Sequence, residues 1–359
     1  MLKTAVTNPG IDISSIPDTM KAIAKTEAGP GAKLITVPVP QIGPRDVLVK
    51  VDATAVCGTD LHIYTWDAWS QGRVKPPLTI GHEFGGTVVA VGEEVLDVAL
   101  GDYVSAETHV VCGTCYQCRT GDKHICSNTQ ILGVDIPGCY AEYVAIPAKN
   151  AWKNASTLPL EWAPLQEPLG NAVHTVLAGD VAGRTVVISG CGPIGIMAAG
   201  VAKACGASAV IAIDVNSYRL DLAGKMGATH LIKADEQDAV AAVLAAVPGG
   251  VDVVCEMSGN AKAMRDAFKM IRNGGRYSIL GIPSQDVSLD IAEIVFKGVT
   301  IQGITGRRMY DTWYQVANLL NSRQLDLTPM ITHRMRLEEI DAAMDLMKAG
   351  LCGKVVLTP

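Results

Sequence analysis

The sequence predicts an α/β protein in two parts, a β-rich unit and a doubly wound parallel sheet, and three observations carry that expectation. The first is length. The chain has 359 residues, more than the roughly 250–300 at which a single core stops growing. The second is a change of pattern at about residue 184, where short β-branched runs between Gly, Pro and Asp turns give way to apolar strands alternating with helical runs. The third is Gly190-Cys191-Gly192-Pro193-Ile194-Gly195, a Gly-x-Gly-x-x-Gly run lodged between a strand and a helix.

Composition narrows the function. Hydrophobic residues make up 48% of the chain, enough to fill two cores. Thirty basic and thirty-six acidic side chains give a net charge of -6, with no basic block to track a phosphate backbone, so nucleic acid is not an expected partner. Residues 1–20 hold no apolar export segment, and ten cysteines without such a segment point to the reducing cytoplasm. Residues 185–202 are nearly uncharged, but Gly190, Gly192, Pro193 and Gly195 break them, so no membrane span is expected.

Residues 1–19 show no periodicity and read as an N-terminal arm; the folded chain is expected from Met20, at the strand-like MKAIAKTE. Runs at 47–54 (VLVKVDAT), 86–92 (GTVVAVG) and 102–107 (DYVSAE) predict short strands in an irregular, largely antiparallel unit. Among them stand Cys57 and Gly81-His82-Glu83-Phe84-Gly85-Gly86. Cysteine, histidine and a carboxylate are ligand types zinc accepts at a catalytic site, where three protein groups leave a fourth position open. Cys57, His82 and Glu83 offer that set, read together with Glu167 downstream. A lone His-Glu pair also fits a hydrogen-bonded core histidine beside a solvated carboxylate; the surrounding motifs favour the metal.

Cys112, Cys115, Cys118 and Cys126 follow, separated by two, two and seven residues. Four thiolates so spaced can converge on one zinc with no open position, a closed structural centre. Two disulfides, an iron-sulfur cluster or a nucleic-acid zinc ribbon would use the same residues. The missing export signal, a spacing unlike the bacterial ferredoxin run and the acidic charge argue against them in turn. Cys139, Cys191, Cys205, Cys255 and Cys352 stand alone in apolar company and read as core residues.

In the second half the strand RTVVIS (184–189) leads into the glycine run and a helix, and the strand AVIAID (209–214) ends in Asp214, nineteen residues after Gly195. The glycines let the backbone approach a pyrophosphate, and the helix N-terminus faces its negative charge. Asp214 can accept from both adenosine ribose hydroxyls and repels a 2′-phosphate, so NAD is expected rather than NADP. Strands at 230–234, 251–257, 276–282 and 299–304 alternate with helices at 217–226, 238–247 and 261–271. Ligands of such sheets sit beyond the carboxyl ends of the strands, which makes Met257, Ser258, Leu280, Gly281, Ile282, Ile304 and Thr305 candidate cofactor contacts, strand-end packing being the other reading. Amphipathic helices at 312–322 and 337–349 and a last strand, GKVVLTP, are expected to return the chain to the first unit.

With CGTDLHIYTWDAW (57–69), EPLGNAVHT (167–175), DVNSYRLDLAGKMGAT (214–229) and GITGRRMYDTWY (303–314), the chain from Met20 onward resembles the zinc-dependent medium-chain dehydrogenases, most of all those that act on L-threonine. The resemblance implies a GroES-like catalytic domain from residues 20–168 and 307–359, a Rossmann NAD-binding domain from 169–306, an active site in the cleft and a homotetramer. The arm at 1–19 precedes the family's usual start. Carried over by position, Cys57, His82 and Glu83 hold the catalytic zinc, and Glu167 either ligates it or stands off. The cysteines 112, 115, 118 and 126 hold the structural zinc, one of each per subunit. Thr59 and His62 match the proton relay, and Asp214 and Arg219 the clamp on the adenosine ribose. His109 and Arg307 fall where relatives contact substrate; the adjacent Arg308 could take the place of Arg307 in that role, and a solvated surface charge is the other reading of either arginine. The implied reaction is oxidation of L-threonine to L-2-amino-3-oxobutanoate with hydride transfer to NAD, a step of threonine degradation. A polyol such as sorbitol or 2,3-butanediol is the rival substrate, and a non-catalytic NAD-binding zinc protein a more distant reading.

Overall fold

The computed structural model describes residues 16–359; the first fifteen residues of the expected N-terminal arm lie outside them. The chain forms two compact units. One runs to Glu167 and adds Ile331–Ala349 and Lys354–Pro359; the other comprises Pro168–Met330 and Gly350–Gly353.

The first unit is organised on one long strand, Asp46–Ala55, whose Val47, Val49, Val51 and Ala53 are buried. It pairs antiparallel with Glu83–Val91 along its length and with Tyr143–Pro147 over its first half. At its end it meets Lys354–Thr358. The sheet runs in the order Ala151–Lys153, Tyr103–Ala106, Glu83–Val91, Asp46–Ala55, Lys354–Thr358, Ile331–Arg336. Register decides what this sheet assembles. Ala55 lies opposite Glu83 on one side and Val356 on the other, and the Val56 amide donates to the Val355 carbonyl at 3.1 Å. The ends of three strands distant in sequence therefore meet just before Cys57. A separate pair, His109–Val110 with Gln130–Ile131, closes the base of the cysteine loop.

The second unit holds six parallel strands in the order His230–Lys233, Ala209–Asp214, Thr185–Ser189, Val251–Glu256, Ile271–Ile279, Thr300–Gly303. Val186, Val187 and Ile188 of the central strand are fully buried, as expected of a strand covered on both faces. Phe268 and Tyr277 meet edge to face at 4.8 Å within its core. The helices begin where the sequence places polar caps: Asn216, Asp238 and Asn260 each accept from amides in the first turn. Strand order reverses at Thr185–Ser189, the position where such sheets bind ligands.

Two boundaries differ from expectation. The strand expected at 276–282 begins earlier and runs Ile271–Ile279, because buried Ile271 pairs with Val251 before the ladder shifts and resumes at Arg276 opposite Val253; Gly274-Gly275 lie in that irregular stretch. The helix Asp311–Asn321 was assigned to the returning segment from 307 but belongs to the second unit, which runs on to Met330. The helix buries Thr312, Trp313, Val316, Leu319 and Leu320, and Leu325 beyond it reaches, with Met226, the bare face of Gly200, where an added Cβ would lie 2.8 Å and 2.9 Å from their side chains.

Candidate active site

Cys57 caps the helix Gly58–Thr65, and its amide donates to Asp60 Oδ2 at 3.0 Å. Gly81, at φ +89°, turns the chain so that His82 and Glu83 point inward, and the Tyr140 ring occupies the space a Cβ there would need. The Tyr140 hydroxyl donates to Asp60 Oδ2 at 2.6 Å. Asp60 Oδ1 then faces His82 Nδ1 at 3.5 Å, and both atoms are buried without a hydrogen-bond partner. One ligand atom from each of Cys57, His82 and Glu83 lies within 4.8 Å of the others. A thiol, an imidazole backed by a carboxylate and a second carboxylate, gathered in a buried corner, form a donor set that fits zinc.

The charges are tightly coupled. Burial works against ionised Asp60, but His82 and the donors from Tyr140 and Cys57 hold its carboxyl below the usual range. Burial pushes the Glu83 carboxyl up to about 7 against the pull of Lys354, with Glu167 adding to the rise. Lys354, also buried, donates to both Glu83 oxygens at 2.5 Å and to the Val56 carbonyl at 3.1 Å. Burial alone would lower its ammonium; Glu83 and Cys57 raise it above the ordinary lysine value.

The Sγ atoms of Cys112, Cys115, Cys118 and Cys126 also lie within 4.8 Å of one another, and all four are free thiols. Cys126 Sγ is 3.6 Å from Cys112 Sγ and 3.8 Å from Cys115 Sγ. Those separations are too long for a disulfide and match the roughly 3.8 Å edge of a tetrahedron with Zn–S bonds of about 2.3 Å. Amides of Cys115 and Asn128 donate to Cys112 and Cys126 sulfurs at 3.4 Å and 3.3 Å. The amides of Thr114 and Cys115 pull the Cys112 thiol down to about 5, so it stands ready as a thiolate.

Thr59 follows Cys57 into the helix, its hydroxyl 3.9 Å from Cys57 Sγ. One turn on, His62 is exposed and sets Nδ1 2.5 Å from Asp67 Oδ2. His109 is half-buried; its amide donates to Glu107 Oε1 at 2.9 Å. Glu167 accepts from Thr108 Oγ1 at 3.1 Å.

In the second unit Gly190 turns at φ +95°, and Gly195 approaches the Gly190 carbonyl so closely that no Cβ would fit. Gly192 caps the helix Pro193–Ala204, with Pro193 in its first turn and Ile194 next to it. The glycines leave the backbone of this turn bare at the N-terminus of the helix, where a ligand phosphate could approach closely. Asp214 ends its strand and accepts from the amides of Cys191 and Asn216 at 2.6 Å and 2.8 Å; the Arg219 amide donates to Asn216 Oδ1 at 3.2 Å. Of the strand-end residues, Leu280 and Gly281 donate amides to the Glu256 carbonyl, Ile304 is buried, and Ile282 and Thr305 are exposed.

Residues 43–157 match the alcohol dehydrogenase GroES-like domain family and residues 193–322 the zinc-binding dehydrogenase family. An L-threonine 3-dehydrogenase from Symbiobacterium thermophilum is 58% identical over 345 residues, 95% of this chain and 98% of that protein. The chain belongs to the zinc-dependent medium-chain dehydrogenases. A second L-threonine 3-dehydrogenase, from Pyrococcus horikoshii, is 49% identical to this dehydrogenase over 94% of its chain and 98% of the relative. Among solved structures, a protein of Sinorhizobium meliloti described as a zinc-binding dehydrogenase and bound to NADP superposes with TM-score 0.89 at 32% identity, covering 96% of this chain and 100% of that one. An alcohol dehydrogenase of Escherichia coli complexed with NADH gives 0.88 at 28% identity, covering 96% and 100%.

The dehydrogenase thus gathers Cys57, His82 and Glu83 into one cluster and the four loop cysteines into another, while Glu167 falls outside the three-residue set. Arg307 is buried, its Nη1 donating to Asn171 Oδ1 at 3.3 Å, whereas Arg308 is exposed. Sequence reasoning missed Asp60, Tyr140 and Lys354. A lysine at the head of the otherwise apolar final strand, KVVLT, was the available signal for the last.

Proposed function

We propose that this enzyme oxidises L-threonine to L-2-amino-3-oxobutanoate and passes the hydride to NAD, with one catalytic and one structural zinc per subunit. The observation that carries the reading is 58% identity over nearly the whole of an L-threonine 3-dehydrogenase. Cys57, His82 and Glu83 hold the catalytic ion, and Cys112, Cys115, Cys118 and Cys126 the structural one. Bound zinc supplies Lewis acidity toward the substrate hydroxyl, and bound NAD accepts the hydride. Asp60 and Tyr140 fix the His82 ring. Thr59 takes the hydroxyl proton at Oγ1 and delivers it toward His62, which exchanges it with solvent while Asp67 holds Nδ1. Arg307 offers a planar fork for the substrate carboxylate; Glu167, or the carboxylate beside His109, receives the ammonium. Gly190, Gly192, Pro193, Ile194 and Gly195 receive the pyrophosphate, Asp214 and Arg219 the adenosine ribose, and Leu280, Ile282, Ile304 and Thr305 line the cofactor's path. NAD is preferred because Asp214 repels a 2′-phosphate.

Among the described residues no helix is long and apolar enough to cross a membrane. Four cysteines gathered as a metal-binding group rather than as disulfides support residence in the reducing cytoplasm. Self-association, which the resemblance makes a homotetramer, is supported by the edge strand Thr300–Gly303, where exposed Ile301 lies near exposed Val295 and Phe296 in sequence. The deciding experiment is the initial rate of NADH formation with L-threonine and NAD, run beside sorbitol and 2,3-butanediol, before and after chelation and zinc restoration. Threonine-dependent turnover that chelation abolishes and zinc restores is expected. Turnover confined to the polyols would overturn the amino-acid substrate.

A further inference from the structure

The metal corner holds a cation that the reaction as derived above does not use. Lys354 is buried to within 1% exposure beneath Glu83, and its ammonium donates to both oxygens of that one carboxylate. A third donation, to the Val56 carbonyl, anchors it one residue before Cys57. All three ammonium hydrogens are thereby spent within the site. The placement follows from register: Val356 pairs with Ala55, which pairs with Glu83, so the residue two positions before Val356 comes to lie under the ligand set.

A buried lysine on a metal ligand has opposed effects. It withdraws charge from the carboxylate and repels the ion, both of which weaken binding; it also holds the carboxylate in place, which strengthens it. Charge counting decides between them. Cys57, Asp60, Glu83 and Glu167 are four acidic groups, the last three buried. A divalent ion and the lysine bring three positive charges, a shortfall of one; without the lysine the shortfall is two. In a buried site an excess negative charge binds a cation more tightly and makes it a poorer Lewis acid.

We propose that Lys354 is a positioning residue of the catalytic centre: by holding both oxygens of Glu83 it limits how much charge that ligand gives the metal, trading zinc affinity for acidity toward the substrate hydroxyl. This rests on the reading of Cys57, His82 and Glu83 as the catalytic zinc ligands.

The test compares the zinc-loaded full chain with Lys354→Met, which keeps the length of the side chain and removes the charge, and Lys354→Arg, which keeps the charge. Zinc is counted per subunit, then its transfer to a chromogenic chelator is followed, and kcat is measured against pH. The Met variant should release its catalytic zinc at least about tenfold more slowly, turn over more slowly and show a kcat midpoint displaced to higher pH. The Arg variant should stay near wild type in all three. Faster release from the Met variant, or an unmoved kcat midpoint, would overturn the proposal, since a lysine that merely builds the site predicts those results. If the Met variant does not fold, Lys354→Gln, which removes the charge and keeps a hydrogen-bond donor toward Glu83, replaces it: release slower than in the wild type supports the proposal, and release equal or faster overturns it. A wild-type chain that loads one zinc per subunit would instead overturn the catalytic centre itself, and the proposal with it.

Discussion

Arg307 owes its position to two residues of the helix Gln166–Val176. Asn171 accepts from its guanidinium, and the missing side chain of Gly170 leaves room for its stem, 2.6 Å from where a Cβ would stand. A hydrogen bond to a charged group is worth about 1.5–3 kcal/mol. Arg307→Ala should therefore raise the KM for L-threonine by roughly tenfold to a hundredfold and leave NAD affinity, read by fluorescence titration, nearly unchanged; an unmoved KM would remove Arg307 from the substrate site. On the same helix His174 is held below the ordinary histidine value, chiefly by burial and further by Arg308 and Arg307, against the Gly306 carbonyl that accepts from Nδ1 at 2.9 Å. The native state thus favours the neutral ring. Its contribution to stability is complete above the unfolded value of about 6.5 and is lost as pH falls through the lower native value. His174→Gln should show a shallower fall in Tm than wild type between about pH 7 and 5, measured by calorimetry.

At the scale of the element, the turn before the strand Glu83–Val91 is tightly constrained. Gly81 combines a left-handed backbone with the Tyr140 ring in the place of its Cβ, and Tyr140 in turn holds Asp60. Gly81→Ala should destabilise the fold by at least about 2 kcal/mol through strain and overpacking and lower catalytic zinc content, while the zinc of the cysteine loop stays bound. Metal analysis of the folded fraction checks this; equal loss of both ions would mean general unfolding. The cysteine loop is closed at its base by its own strand pair, His109–Val110 with Gln130–Ile131, which does not include Gly81.

At the scale of the molecule, the parallel sheet of the second unit ends in Thr300–Gly303, whose outer edge has no partner strand among the described residues. Ile301 is 41% exposed there and Phe296 86% exposed on the preceding helix. An apolar edge of this kind needs covering. Ile301→Lys should shift the mass found by sedimentation toward smaller species without changing the far-ultraviolet circular dichroism; a wild-type mass already that of one chain would exclude a tetramer.

The two-part α/β architecture and the cysteine cluster were legible in the sequence because each depends on short-range spacing, whereas Cys57, His82 and Glu83 were legible as ligand types and are brought together only by strand register. Four thiols within fifteen residues can meet through a single loop, and an alternation of strand and helix fixes a parallel sheet whatever lies around it. What the sequence left unread depends on pairing between distant segments. Nothing near Lys354 indicates Glu83; only the register that sets Val356 beside Ala55 and Ala55 beside Glu83 brings them together. Asp60 and Tyr140 are eighty residues apart in the chain and meet through the bare face of Gly81. The chain stays in the second unit to Met330, and Leu325 lies against the bare face of Gly200 within it, a contact no local pattern encodes. Spacing along the chain determined which groups can bind a metal or a nucleotide, and tertiary pairing decided which charges surround them, because burial and sheet register set electrostatics over distances that sequence does not measure.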